Sequence, residues 1–142
     1  MISLKVKDSM TETQTQIEYK EVTVTLINEL AEDSYCKEHM YEFIAKHGED
    51  AFYNYYVTYV EMGECHSYEA VDTFIEEFSV DDLNSFEDSY RGQWESRADY
   101  AENFVTDCYS VDFPSFIEID WENTFENLDC VYVNGFVFDN QF

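Results

Sequence analysis

The sequence predicts an α+β fold, mainly helical, with a small antiparallel β-sheet that includes a C-terminal hairpin. Three observations carry this expectation. Apolar residues recur at three- and four-residue spacing through the middle of the chain. Near the start, two short stretches alternate β-branched with polar residues. Near the end, Asn134-Gly135 stands between two apolar runs, a strong short-range hairpin signal. With 142 residues, 45% hydrophobic and 18% aromatic, and only 4 Gly and 1 Pro, the chain can build a core and lacks the composition of a disordered segment.

Ile2 to Val6 and Ile17 to Thr25 are expected as strands, joined by a polar loop over Asp8 to Gln16. Helical spacing starts at about Leu26. Ser34 can cap a helix holding Met40, Tyr41, Phe43 and Ile44, which His47-Gly48 ends. Phe52, Tyr55, Tyr56 and Tyr59 then make an aromatic stripe best read as core. Ser67 opens a helix with Tyr68, Val71, Phe74, Ile75 and Phe78 on its apolar face. Ser79 and Asp82, at capping-box spacing, open another with Leu83, Phe86 and Tyr90. Gly92 and Trp94 mark a break, and Ser96 with Asp99 repeats the cap before Tyr100, Ala101, Phe104, Val105 and Cys108. Pro114, with Asp112 as a cap, suits the first turn of a helix holding Phe116, Ile117, Trp121, Phe125 and Leu128. The hairpin runs from Cys130 to Phe138; being marginal alone, it must pack on helices or join N-terminal strands or a second subunit. Three regions follow: a short β segment over 1–25, an acidic helical region over 26–94, and an α+β region over 95–142 with the hairpin at 130–138.

Charge is the dominant feature: 32 acidic against 7 basic side chains give a formal net charge of -25. Residues 1–60 carry 11 acidic and 5 basic residues, whereas 61–142 carry 21 acidic and only Arg91 and Arg97 as basic. Self-repulsion at this density opposes compaction, so a function for the charge is expected. Such a polyanion cannot neutralise phosphates and is repelled by anionic membranes, which excludes direct nucleic-acid and membrane binding and leaves basic surfaces as partners. A duplex carries one charge per roughly 1.7 Å of axis, so a charge of -25 matches about a dozen base pairs. No apolar run of about eighteen residues and no N-terminal h-region occurs, which points to a cytoplasmic protein.

Catalytic equipment is thin. There is no phosphate-cradling glycine loop, no Gly-x-Ser-x-Gly elbow, no His-Glu-x-x-His pair and no calcium loop, and nothing singles out one carboxylate pair. Cys36, Cys65, Cys108 and Cys130 are widely spaced and should stay reduced. Cys36, His39, Cys65 and His66 are the sharpest zinc alternative, but adjacent Cys-His ligands sit awkwardly around one tetrahedral ion. The expectation is therefore no enzyme, no cofactor and no metal.

The run Phe86-Glu87-Asp88-Ser89-Tyr90-Arg91-Gly92-Gln93-Trp94-Glu95-Ser96, followed by Asp99-Tyr100-Ala101-Glu102, resembles the hallmark segment of the ArdA family of antirestriction proteins. Downstream, Ile119-Asp120-Trp121, Phe125 and the closing hairpin are similar to that family's Tyr-Ile-Asp-Tyr helix and its continuation, while Glu126-Asn127-Leu128 stands where the family has Arg-Asp-Leu. About the last sixty residues are covered; the family's N-terminal β-domain is shortened or replaced. The resemblance implies an elongated acidic DNA mimic, homodimeric, that inhibits the methyltransferase core of type I restriction-modification enzymes in the bacterial cytoplasm on behalf of a phage or mobile element. Another DNA-modifying defence system or a CRISPR effector is an alternative target. An acidic adaptor or chaperone-like protein that binds basic proteins is the alternative function.

On the mimic reading, Asp72, Glu76, Glu77, Asp81, Asp82, Glu87, Asp88, Glu95, Asp99, Glu102 and Asp107 are the residues expected to stand in for phosphates. They belong to the expected helices and share out the binding, so no single one should be essential.

Overall fold

The computed structural model of the chain describes residues 3–7, 16–109 and 112–142, and these are mainly helical. They fall into two compact units, 1–61 and 62–142. The loop expected over Asp8 to Gln16 lies outside the described residues except for Gln16, which is in a strand.

In the first unit β1 (Ser3–Lys7) pairs antiparallel with β2 (Gln16–Lys20), Ser3 opposite Lys20 and Lys7 opposite Gln16. The strand expected to reach Thr25 stops at Lys20, and α1 (Glu21–Glu32) starts five residues before Leu26. Thr23, Ile27 and Leu30 explain why: they lie at i, i+4 and i+7 and all three are buried. Burial of that stripe outweighs the strand preference of Val22 to Thr25, because helix propensities differ by only about 0.5 kcal/mol per β-branched residue. The helix ends in a Schellman turn. Tyr35 N–H donates to the Leu30 carbonyl at 3.0 Å and Ser34 N–H to Ala31 at 3.1 Å, with Ser34 at φ +74°. Ser34 therefore terminates α1 and does not cap α2 (Lys37–His47), which starts after Cys36 without a side-chain cap.

Gly48, at φ +92°, separates α2 from α3 (Glu49–Cys65), as His47-Gly48 predicts. The aromatic stripe is core, with Phe52, Tyr56 and Tyr59 buried beside Met40, Phe43 and Ile44. The Phe43 ring sits 5.3 Å from Tyr56 and 5.0 Å from Tyr59. The buried Tyr56 hydroxyl is satisfied by His39 Nδ1 at 2.8 Å.

The second unit is built around three strands. β3 (Tyr90–Gln93), β5 (Phe136–Asp139) and β4 (Cys130–Val133) lie antiparallel in that order, so β5 is central. Its side chains alternate and both faces are covered. Phe138 meets Phe74 at 5.6 Å and Tyr90 at 5.7 Å. Val137 points the other way into a cluster with Tyr100, Ala101 and Phe125. Phe136, Val137 and Phe138 are accordingly all buried, the pattern of a strand enclosed on both sides. The hairpin forms as expected, with Asn134 at φ +53° and Gly135 at φ +86°, the two positive values that a type I′ turn requires. Its partner strand is β3; among the described residues β1 and β2 pair with each other.

α4 (Tyr68–Glu77) buries Val71, Phe74 and Ile75, and Ser67 Oγ accepts from Ala70 N–H at 3.2 Å. The continuous helix expected from Ser79 to Tyr90 is three short pieces: a 3₁₀ helix (Val80–Ser85), the single turn α5 (Phe86–Ser89), and β3. Ser79 Oγ takes the Asp81 N–H at 3.1 Å while the Asp82 N–H donates to the Ser79 carbonyl, which winds the first turn tightly. Tyr90 is then drawn into the sheet opposite Phe138. Gly92 is no helix break. Tyr90 and Gln93 pair with Phe138 and Phe136, so β3 holds one residue more than β5 across that interval. The resulting bulge puts Gly92 at φ +96°, where glycine alone is unstrained.

α6 (Arg97–Cys108) starts as expected, Ser96 Oγ accepting from Asp99 N–H at 3.0 Å. The helix expected from Pro114 does not form there. Residues 112–120 hold a single turn closed by Ile117 N–H on the Pro114 carbonyl at 2.9 Å, and α7 (Trp121–Glu126) begins only where Asp120 Oδ1 accepts from Asn123 N–H. Phe125 is buried from the expected stripe, whereas Phe116 is 82% exposed, so a longer helix would have gained no burial from it.

Candidate anionic partner-binding face

Every one of the eleven acids singled out from the sequence lies in the second unit. Nine are exposed; Asp72 and Asp82 are half-buried. Helix geometry sets their spacing. On α4, residues 69, 72 and 76 share one face at i, i+3 and i+7, so Glu69, Asp72 and Glu76 are spread over about 10 Å of axis. One strand of a duplex advances about 3.4 Å of axis per phosphate, so the three carboxylates are spaced comparably but somewhat more widely. Glu69, exposed in the first turn of α4, belongs to this row although it was not among the eleven; its place at i−3 from Asp72 is the signal that finds it. Glu77 is exposed beside it.

A second set stands where β3 runs into α6. Glu95, Asp99 and Glu102 line one open depression together with Gln93, Trp94, Asn103 and Thr106. The Ser96 cap fixes Asp99, and burial of Tyr100 and Ala101 on the opposite stripe turns Asp99 and Glu102 outward. Asp107 is exposed one turn further along. Asp81, Glu87 and Asp88 are exposed on the 3₁₀ helix and α5, where Glu87 Oε1 lies 3.4 Å from His66 Nε2. The structure therefore resolves the expected row into sets on α4, on 80–89 and on α6, instead of three successive helices.

Between residues 62 and 142 there are 20 acidic side chains and two arginines. Both arginines are engaged. Arg91 Nη2 pairs with Asp139 Oδ2 at 3.1 Å, and the Arg97 guanidinium lies over the Tyr132 ring, 5.1 Å from its centroid. Neither role was legible from the sequence, because each depends on a strand brought in from more than thirty residues away. The remaining members of the 86–102 segment serve the fold. Trp94 Nε1 donates to the Arg91 carbonyl at 2.7 Å, its backbone N–H to Gly135 at 2.7 Å, and its carbonyl accepts from the Tyr132 hydroxyl at 2.9 Å. Ser89, fully buried, donates to the Asp139 carbonyl at 2.7 Å. Much of the 86–102 segment thus builds the bulge and the α6 cap, while Glu87, Asp88, Glu95, Asp99 and Glu102 are the acids it shows to solvent.

Two phenols and one thiol inside this unit titrate above their ordinary values. Burial, and next the neighbouring Cys130, push the Tyr100 phenol up to about 12. Burial likewise raises Tyr90, and burial followed by Asp139 raises the Cys130 thiol. Among the described residues, no three His, Cys, Asp or Glu side chains are placed to hold a metal ion, and no helix is long and apolar enough to cross a membrane. Cys36, Cys65 and Cys108 are exposed free thiols, and Cys130 is half-buried.

The chain matches no protein-family model, no curated protein and no solved structure. Its candidate site is accordingly defined by its own charge and geometry.

Proposed function

We propose that the chain is a DNA mimic without catalytic activity. It occupies the nucleic-acid channel of a bacterial defence enzyme, in the manner of an ArdA antirestriction protein acting on a type I restriction-modification complex. The observation that supports this most is the pairing of charge with rigidity. Twenty acids face two arginines over residues 62–142, both arginines are held by groups of the fold, and nine of the eleven candidate carboxylates are exposed. Carboxylates fixed on capped helices offer a DNA-reading protein acceptors at phosphate-like spacing, with little ordering left to do on binding.

Partner capture from a bacterial lysate, repeated with a rising excess of duplex DNA, tests the reading. A mimic must be displaced by duplex and must inhibit the captured enzyme stoichiometrically. Retention of the partner at saturating duplex would instead identify an acidic adaptor that binds basic proteins elsewhere. Sedimentation of the purified chain reads the homodimer that the resemblance implies.

A further inference from the structure

Beyond the carboxylate face, we propose a second interaction element: Phe113, Phe116 and Ile117 form an apolar anchor for a cationic, amphipathic protein surface. These three side chains are 46%, 82% and 44% exposed, within the five residues 113–117, the last four of which form a turn closed by Ile117 N–H on the Pro114 carbonyl. Singly exposed apolar residues are ordinary; three on one short segment mark an interaction site. Asp112, Glu118 and Asp120 flank the turn and are exposed.

Charge selects the occupant. From residue 98 to the C-terminus the chain has ten acidic residues and not one Lys, Arg or His. A second copy would bring the same acids against these acids, and nucleic acid or an anionic bilayer would be repelled in the same way. A surface that offers apolar side chains ringed by Lys or Arg satisfies both features at once: the rings and the Ile leave water while the flanking carboxylates meet cations. DNA has no apolar side chain to imitate here, so this element is independent of the mimic reading and adds a salt-resistant component to binding.

The test uses the full chain and two synthetic helical peptides of equal lysine content, one Leu/Lys amphipathic and one with every Leu replaced by Gln. Binding is read by calorimetry at low salt and at about 1 M salt, where exposed charges are screened beyond about 3 Å. The Leu/Lys peptide should keep binding at high salt, and the double variant Phe116→Ser/Ile117→Ser should weaken it about tenfold or more. That variant should bind the Gln/Lys peptide at low salt as the parent does, and its circular dichroism should be unchanged, since neither side chain is buried. Val22→Ser, at another exposed apolar position, should change nothing. Equal affinity of the Phe116/Ile117 variant for the Leu/Lys peptide at high salt would overturn the proposal. So would a parent dimer that the same variant converts to monomer, which would make a second copy the occupant.

Discussion

Arg91 and Asp139 join β3 to the end of β5, Nη2 lying 3.1 Å from Oδ2. Asp139 holds more than the arginine: its Oδ1 accepts the Gln141 N–H at 2.8 Å, and its carbonyl takes the Ser89 hydroxyl. Asp139→Asn keeps the size and an acceptor for Gln141 while removing the ion pair. Because the pair is part-exposed, its loss should cost about 0.5–1 kcal/mol, a Tm lower by a few degrees. A double-mutant cycle with Arg91→Gln should return a coupling of similar size at low salt that shrinks at about 1 M salt. Zero coupling at low salt would mean that the pair contributes nothing.

Gly92 occupies φ +96° in the bulge, and a Cβ there would also meet Trp94 Nε1 at 3.4 Å. Gly92→Ala must either hold an alanine in the left-handed region or straighten the bulge and slip the register of β3 against β5. A destabilisation of about 1–2 kcal/mol is expected by chemical denaturation. The m-value should stay constant if the bulge is kept. An alanine variant as stable as the parent would show that the bulge does not need glycine.

Tyr100 predicts the alkaline limit of the second unit. Its folded pKa, raised to about 12 from 10.0, lies above the unfolded value, so the neutral phenol favours the folded state. That contribution is complete below about pH 10 and is lost as pH climbs from 10 towards 12, about 2–3 kcal/mol in all. Phenolate absorbance should show Tyr100 among the last of the 12 tyrosines to ionise, and Tyr100→Phe should flatten the loss of stability over that window. An unchanged slope would assign the alkaline limit to other groups.

What could be read from the sequence was local. Ser67 and Ser96 cap their helices because the acceptor and the N–H lie three residues apart, and Asn134-Gly135 makes its turn unaided. What could not be read was set from a distance. Phe138 draws Tyr90 out of a helical pattern, and the resulting ladder turns Gly92 from a presumed stop into a bulge. Pro114 misled because a residue suited to a first helical turn does not supply anything for that helix to pack on, while the Asp120 cap six residues later decided the start. At the candidate site, helical periodicity found outward-facing Glu76 and Glu77 on α4 and Asp99, Glu102 and Asp107 on α6, but it left out Glu69 and included half-buried Asp72. The engagement of Arg91 and Arg97 was invisible, since both partners sit on the C-terminal hairpin.

Glu95 and Glu102 separate a working anionic face from a merely solvated one. Both line the depression shared with Asp99, and neither supplies a cap; Asp99 is left in place because its backbone N–H and its position in the first turn of α6 support the helix. Glu102 and Asp99 are like charges three residues apart on α6, which destabilises a helix by about 0.2–0.5 kcal/mol, and Glu95 lies ahead of the helix, so Glu95→Gln/Glu102→Gln should hold or slightly raise the Tm. On the mimic reading the same variant should weaken partner capture and make the remaining binding less sensitive to salt, because fewer fixed charges meet the basic channel. Adding a neutralised Glu76 on α4 should deepen the loss by a similar step, as expected of a face whose members share the work. Stability and binding would then move in opposite directions, which no folding defect can produce. If the triple variant inhibits and binds as the parent does across the salt series, these carboxylates are surface charge only and the phosphate-like role must lie elsewhere on the chain.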